Sequence, residues 1–73
     1  MMFPSREIVE IVKSQYPKGT RVRLISMNDT YHRLKAGDEG IVSGVDDMAT
    51  IHVHWDSGLC LGVIYGEDYV EAI

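Results

Sequence analysis

Apolar and polar residues alternate most clearly over residues 51–63. Ile51, Val53 and Trp55 alternate with His52 and His54, and Leu59, Leu61 and Val63 alternate with Cys60 and Gly62. A period of two is that of a β-strand with one buried face. Taken as a three-residue turn, Asp56-Ser57-Gly58 brings the two patterns into register, with Trp55 facing Leu59, Val53 facing Leu61 and Ile51 facing Val63. A two-residue turn would set Trp55 against Cys60 and mix polar with apolar positions. Gly58 stands where such a loop needs a left-handed residue. The hairpin thus has an apolar inner face and an outer face of His52, His54, Cys60 and Gly62.

The period changes towards the N-terminus. Ile8, Val9, Ile11 and Val12 form an apolar stripe at helical spacing, which Phe3 could extend. Ser5 is a candidate N-cap, Glu7 lies in the first turn, and Pro17 stops the helix near Gln15-Tyr16. A helix of about ten residues is marginal alone, so its stripe packs on the sheet or on another chain. Residues 20–27 predict a first strand, with Val22 and Leu24 on one face and Arg21, Arg23 and Ile25 on the other. Residues 28–38 carry turn formers and no strand pattern. Residues 39–45 predict a second strand, in which Gly40 and Gly44 suggest tight bends where a small barrel closes. Residues 46–49 and 65–68 are turns, and residues 69–73 a last short strand with Val70 inward. The prediction is a mainly β protein with one N-terminal α-helix and a small SH3-like five-stranded barrel. Residues 1–17 are the helix, packing on the barrel or on a partner chain, and residues 18–73 the barrel.

Seventy-three residues bound one small domain. A chain this short buries only about 60% of its unfolded surface, so its stability is marginal. The single cysteine rules out an intrachain disulfide, and a four-ligand zinc finger is excluded on cysteine count. A further staple would come from self-association or a ligand. No long apolar run predicts a membrane span, and the first residues lack the apolar stretch of a secretory signal. A cytoplasmic location follows as the expectation, and a reduced Cys60 suits it. The net charge of −4 argues against non-specific binding to nucleic acid. Its distribution says more. Residues 1–36 hold all seven basic residues against three acids, whereas residues 37–73 hold eight acids and no Lys or Arg. Either the halves neutralise each other within the fold, or a two-signed surface self-associates or receives an anionic ligand on its basic side.

Three groups could carry chemistry. Arg21 and Arg23 project side by side, as a solvated face, as partners of the C-terminal acids, or as a fork pair for a phosphate or carboxylate. Tyr31, His32 and Arg33 could stack on and pair with a planar anionic ligand, or form an ordinary polar loop with Leu34 tucked in. His52, His54 and Cys60 share the outer face of the hairpin, where three soft or borderline ligands could converge as zinc prefers, although a fourth is missing. The plainer alternative is an outer face covered by the helix or by a partner chain. Cys60 with His54 would also make a nucleophile and base, yet neither a group orienting the base nor an oxyanion donor is visible. Trp55 reads as a core anchor or, alternatively, as an aromatic ligand platform.

Five blocks stand in the order seen in a family of short phage and mobile-element proteins. They are Tyr16-Pro17-Lys18-Gly19-Thr20-Arg21-Val22, Gly37-Asp38-Glu39-Gly40-Ile41-Val42, Gly44-Val45-Asp46-Asp47, Ile51-His52-Val53-His54-Trp55-Asp56-Ser57-Gly58 and Tyr65-Gly66-Glu67-Asp68. Over nearly its whole length the chain resembles domain of unknown function family 4314. The resemblance implies an SH3-like barrel and a phage or plasmid setting in a bacterial host, and it implies no activity. Where family members usually carry a proline-rich stretch, Thr30-Tyr31-His32-Arg33-Leu34-Lys35 stands here. The family's usual Trp-Asp-Asn-Gly is Trp55-Asp56-Ser57-Gly58.

The expectation is therefore a non-enzymatic small binding protein of a phage or mobile element, in the cytoplasm of a bacterial host cell. It would act on host machinery in an anti-defence role, covering a host protein or, as an oligomer, sequestering a small nucleotide signal. Arg21, Arg23, Tyr31, His32 and Arg33 are the candidate ligand residues, and His52, His54 and Cys60 the candidate interface or ligand face. The partners are a host protein or a small anionic ligand, with homo-oligomers one route to a site. No cofactor, catalytic residue, resident metal or membrane is expected. The alternatives are a nucleic-acid-associated SH3-like barrel module, which the acidic C-terminal half disfavours, and a His/Cys metal-binding protein.

Overall fold

The computed structural model describes residues 4–28, 31 and 33–73. Phe3, Asp29, Thr30 and His32 lie outside the described residues, so the extension of the helical stripe by Phe3 and the place of His32 in the loop lie there too. Helix α1 runs Arg6–Gln15 and is followed by strands β1 (Arg21–Ser26), β2 (Glu39–Val45), β3 (Ile51–Trp55), β4 (Cys60–Val63) and β5 (Tyr69–Ala72).

Helix α1 starts where the Ser5 hydroxyl accepts a hydrogen bond from the Ile8 N–H at 3.2 Å. Glu7 and Lys13 sit at the ends where the helix dipole favours each charge. Tyr16 leaves helical dihedrals (φ −127°, ψ 62°) because Pro17 follows it. Val9 and Val12 are buried and Ile8 is packed against the core, but Ile11 is 53% exposed. The stripe is thus narrower than its four apolar residues suggest. The neighbours Ile11 and Val12 stand about 100° apart around a helix, and only one of them faces the sheet.

The five strands form one antiparallel sheet in the order β4-β3-β2-β1-β5. Hydrogen bonds do not close it, and β4 and β5 remain its edges, so the expected closed barrel is corrected to an open sheet in which β1–β4 run as a meander and β5 returns to pair with β1. The hairpin has the register read from its alternation, with Ile51 opposite Val63, Val53 opposite Leu61 and His54 opposite Cys60. Gly58 takes a φ of +98° in the turn, and the Trp55 N–H donates to the Leu59 carbonyl at 2.8 Å. Register shifts fall between Leu24 and Ser26 in β1 and between Val42 and Gly44 in β2. Bulges of this kind increase strand twist, which lets a five-stranded sheet curl over its own inner face.

That inner face carries the core: Val22 and Leu24 from β1, Val42 from β2, Ile51, Val53 and Trp55 from β3, and Val63 from β4. Val9 and Val12 of α1, Leu34 of the long loop and Ala49 complete it. Leu59, Leu61 and Val70 are only partly buried, as their places near the open edges dictate. The Tyr16 hydroxyl donates to the Val70 carbonyl at 3.3 Å and ties the end of α1 to β5. Among the described residues no helix is long and apolar enough to cross a membrane.

Candidate functional site

Arg21 and Arg23 project from the outer face of β1, and both guanidinium groups meet carboxylates of the acidic half. Arg21 makes a two-pronged contact with Asp56, Nη1 to Oδ1 at 2.8 Å and Nη2 to Oδ2 at 2.7 Å, and Nη2 also lies 3.4 Å from Glu39. Arg23 donates from Nε and Nη2 to Glu39 Oε2 at 3.3 Å and from Nη1 to Glu71 Oε1 at 3.2 Å. The fork geometry that suits a phosphate is thus directed at the chain's own carboxylates. The hydrogen bond to Asp56 raises the Arg21 pKa, desolvation opposing it, and holds the Asp56 carboxyl below its ordinary value. These groups are about 35–57% exposed, so the pairs contribute little net stability. An arriving anion would have to compete with Asp56, Glu39 and Glu71.

The outer face of the hairpin divides in two. His52 turns its Nε2 to Asp46 Oδ2 at 2.9 Å. Asp46 in turn accepts the Met48 and Thr50 N–H groups at 2.9 and 3.0 Å, holding the turn in which Ala49 is buried at a φ of +59°. Desolvation pushes the Asp46 carboxyl up, but the hydrogen bonds from His52, Thr50 and Met48 outweigh it and keep the carboxyl below its ordinary value. His54 instead meets Cys60, with Sγ 3.2 Å from Nδ1 and 3.8 Å from Nε2. His52 and the His54–Cys60 pair therefore do not form one three-ligand cluster. Among the described residues no group of three or more His, Cys, Asp or Glu side chains is placed to hold a metal ion.

In the loop, Tyr31 is 79% exposed and the Arg33 guanidinium carbon lies 5.4 Å from its ring centroid, a cation–π distance. Leu34 is buried at 6% exposure, as expected of a loop with an inward leucine. Trp55 is 3% exposed and donates its indole N–H to the Leu61 carbonyl at 2.9 Å, which makes it a core residue with a satisfied polar end.

Two features escaped sequence reasoning. Asp68 is buried, and its two oxygens accept the N–H groups of Asn28 at 2.8 Å and Ile64 at 2.9 Å, joining the ends of two loops. Nothing in the pair Glu67-Asp68 marks which carboxylate turns inward. The second is a groove of about 310 Å³ between the end of α1 and the two sheet edges. Tyr16, Tyr65 and Tyr69 line it together with Val12, Val63 and Val70. The only sequence signal for it is the spacing of tyrosines around short elements, which becomes a site only once the sheet is known to be open.

The fold and these surfaces define a small antiparallel β-domain capped by one helix, with an aromatic groove at its open seam and self-neutralised charge on its outer face. The chain belongs to the family described as Domain of unknown function (DUF4314), whose model matches residues 5–73. No curated protein matches the chain.

Proposed function

We propose that the chain is a non-enzymatic binding protein of a phage or other mobile element that covers a host protein in the bacterial cytoplasm. Its tyrosine-lined groove takes a basic, partly apolar segment of that partner. The groove carries this reading. Tyr65 and Tyr69 are 48% and 55% exposed along it, as anchors for a partner's side chains would be. Asp68 is the acidic residue in its lining and its oxygens are taken by backbone N–H groups, so a preference for a cationic segment comes from long-range attraction to a chain of net charge −4. The order β4-β3-β2-β1-β5 supports reading the fold as a partly open SH3-like barrel. The absence of catalysis in this proposal rests on the Cys60–His54 pair, whose imidazole meets no third, orienting side chain among the described residues.

The test is a titration of the isotopically labelled chain with a synthetic peptide containing Lys and Phe, followed by NMR. A counterpart with Glu in place of each Lys serves as the comparison. The expected result is shifts at Tyr16, Tyr65 and Tyr69 for the basic peptide alone, with Tyr65→Ala weakening binding about tenfold at unchanged stability. Shifts that map elsewhere, or that are equal for both peptides, overturn it.

A second reading, sequestration of a small nucleotide by an oligomer, is favoured by the Arg33–Tyr31 stack, which offers a π-face beside a fixed cation. Calorimetric titration with nucleotides, combined with the solution mass, separates the two. A monomer giving no heat rejects sequestration, and an oligomer whose binding is lost in Tyr31→Ala supports it.

A further inference from the structure

We propose that Cys60 and His54 are half of a zinc site that two copies of this chain complete by meeting at their β4 edges. The inference is independent of the groove and of what it binds.

The geometry starts from the hairpin register. The Trp55 N–H bonds the Leu59 carbonyl, so the next opposed pair, His54 and Cys60, is of the non-hydrogen-bonded kind, in which side chains stand closest. Both project from the outer face, both are exposed, and Sγ lies 3.2 and 3.8 Å from the two ring nitrogens. A sulfur and an imidazole nitrogen bound to one tetrahedral zinc ion stand about 3.5 Å apart, from bond lengths of about 2.3 and 2.0 Å. The two observed separations bracket that value, so small rotations of two exposed side chains bring both donors onto one ion. His52 does not supply a third ligand, because its ring is held by Asp46 at 2.9 Å.

One chain therefore offers two donors, and a closed zinc site needs four. The position of the pair says where the others come from. β4 is an edge strand, and the same alternation turns the backbone groups of Cys60 and Gly62 away from β3. Exposed edges are normally guarded by charge, proline or a covering element. Residues 59–63, Leu-Cys-Leu-Gly-Val, carry no charge and no proline. The other edge, β5, carries Glu71. A depression of about 250 Å³ lies beside the pair on the outer face, lined also by Ser43, His52 and Gly62. Two copies related by a two-fold axis perpendicular to the sheet at the β4 edge run antiparallel with their outer faces on the same side, and place two cysteines and two histidines in one row, the Cys₂His₂ set of a structural zinc site. As each sulfur–zinc bond forms, the Cys60 thiol releases its proton to solvent, two protons per ion.

The test uses the full chain, reduced and stripped of metal, titrated with Co²⁺ as a spectroscopic probe and with Zn²⁺, while light scattering follows the mass. The expected result is one ion per two chains, the visible bands of tetrahedral thiolate-bound cobalt, and a doubling of mass on addition of either metal. Cys60→Ser and His54→Ala each lose the spectrum and the mass change, whereas His52→Ala keeps both. All three altered positions are exposed, and an unchanged Trp55 fluorescence confirms that the variants fold. Binding of one ion per chain without a change of mass overturns the proposal. So does a featureless cobalt titration, or a dimer that persists without metal and in Cys60→Ser.

Discussion

Gly40 lies directly across from Trp55 on the neighbouring strand, and the strands are so close there that no side chain fits. A β-carbon on Gly40 would come within 2.6 Å of the His54 carbonyl oxygen, 2.7 Å of Val53 Cγ1 and 2.9 Å of the Trp55 Cα. Two of those atoms are backbone of β3 and cannot yield without moving the strand. Gly40→Ala is expected to cost about 3 kcal/mol, the upper range for overpacking. That is a large share of the roughly 4–11 kcal/mol available to a chain of this length. Gly44, in the same strand, has nothing within 4 Å of its would-be β-carbon. Gly44→Ala should therefore leave the urea midpoint within experimental error, and equal midpoints for both variants would refute the close approach.

Trp55 owes its place to two separable contributions, burial of its ring and the bond from its indole nitrogen to the Leu61 carbonyl. Trp55→Phe keeps most of the apolar surface and leaves that carbonyl without its donor, at a cost of about 1–2 kcal/mol. Trp55→Ala also opens a cavity, and about 3–5 kcal/mol is expected. Thermal melts of the two variants should therefore separate clearly, and a Phe variant as unstable as the Ala variant would show that the hydrogen bond dominates.

Much of the hairpin was legible because its information is local. Alternation fixes which residues face inward, and the demand that Trp55 meet Leu59 fixes the turn length. The opposition of His54 and Cys60 follows from that register, and the structure has it. The helix was legible for the same reason, between the Ser5 cap and Pro17. Closure of the sheet was not legible, since it depends on how twist accumulates over five strands rather than on any one of them. The charge split pointed to attraction between the halves, yet it could not assign Arg21 to Asp56 or Arg23 to Glu39 and Glu71. Those choices depend on which strands become neighbours. The aromatic groove was invisible for a related reason, because its walls are residues far apart in the chain that meet at an open seam.

Asp68 shows how a single buried carboxylate can hold two loops. Removing it in Asp68→Ala leaves the Asn28 and Ile64 N–H groups without their acceptor. A loss of about 2–4 kcal/mol is expected, from two charge-assisted bonds partly replaced by water. Asp68→Asn keeps the size but turns one acceptor oxygen into a donor facing an N–H, so it should recover only part of the loss. Amide hydrogen exchange at Asn28 and Ile64 should accelerate in both variants, more than at Val53 in the centre of the sheet. Unchanged exchange at the two loop amides would remove Asp68 from this role.

The Arg21–Asp56 contact should make stability depend on pH in one direction only. The hydrogen bond from Arg21 holds the Asp56 carboxyl below its ordinary value in the folded chain. In the unfolded chain the same carboxyl titrates near about 3.9. Between those two values the unfolded state binds more protons than the folded one, so stability rises with pH across the interval. The contribution is fully present above about pH 4 and is lost as pH falls through the lower folded value. Asp46, held low chiefly by His52 and two backbone N–H groups against desolvation, adds a loss of the same sign. Asp56→Asn removes one of the two carboxyls, so the gap in urea midpoint between wild type and variant should be constant from pH 7 to about pH 5. It should then narrow steadily on acidification below about pH 4, as wild type loses what the variant never had. A gap that stays constant down to pH 2 would show that the pair, although formed, carries no linkage to protons.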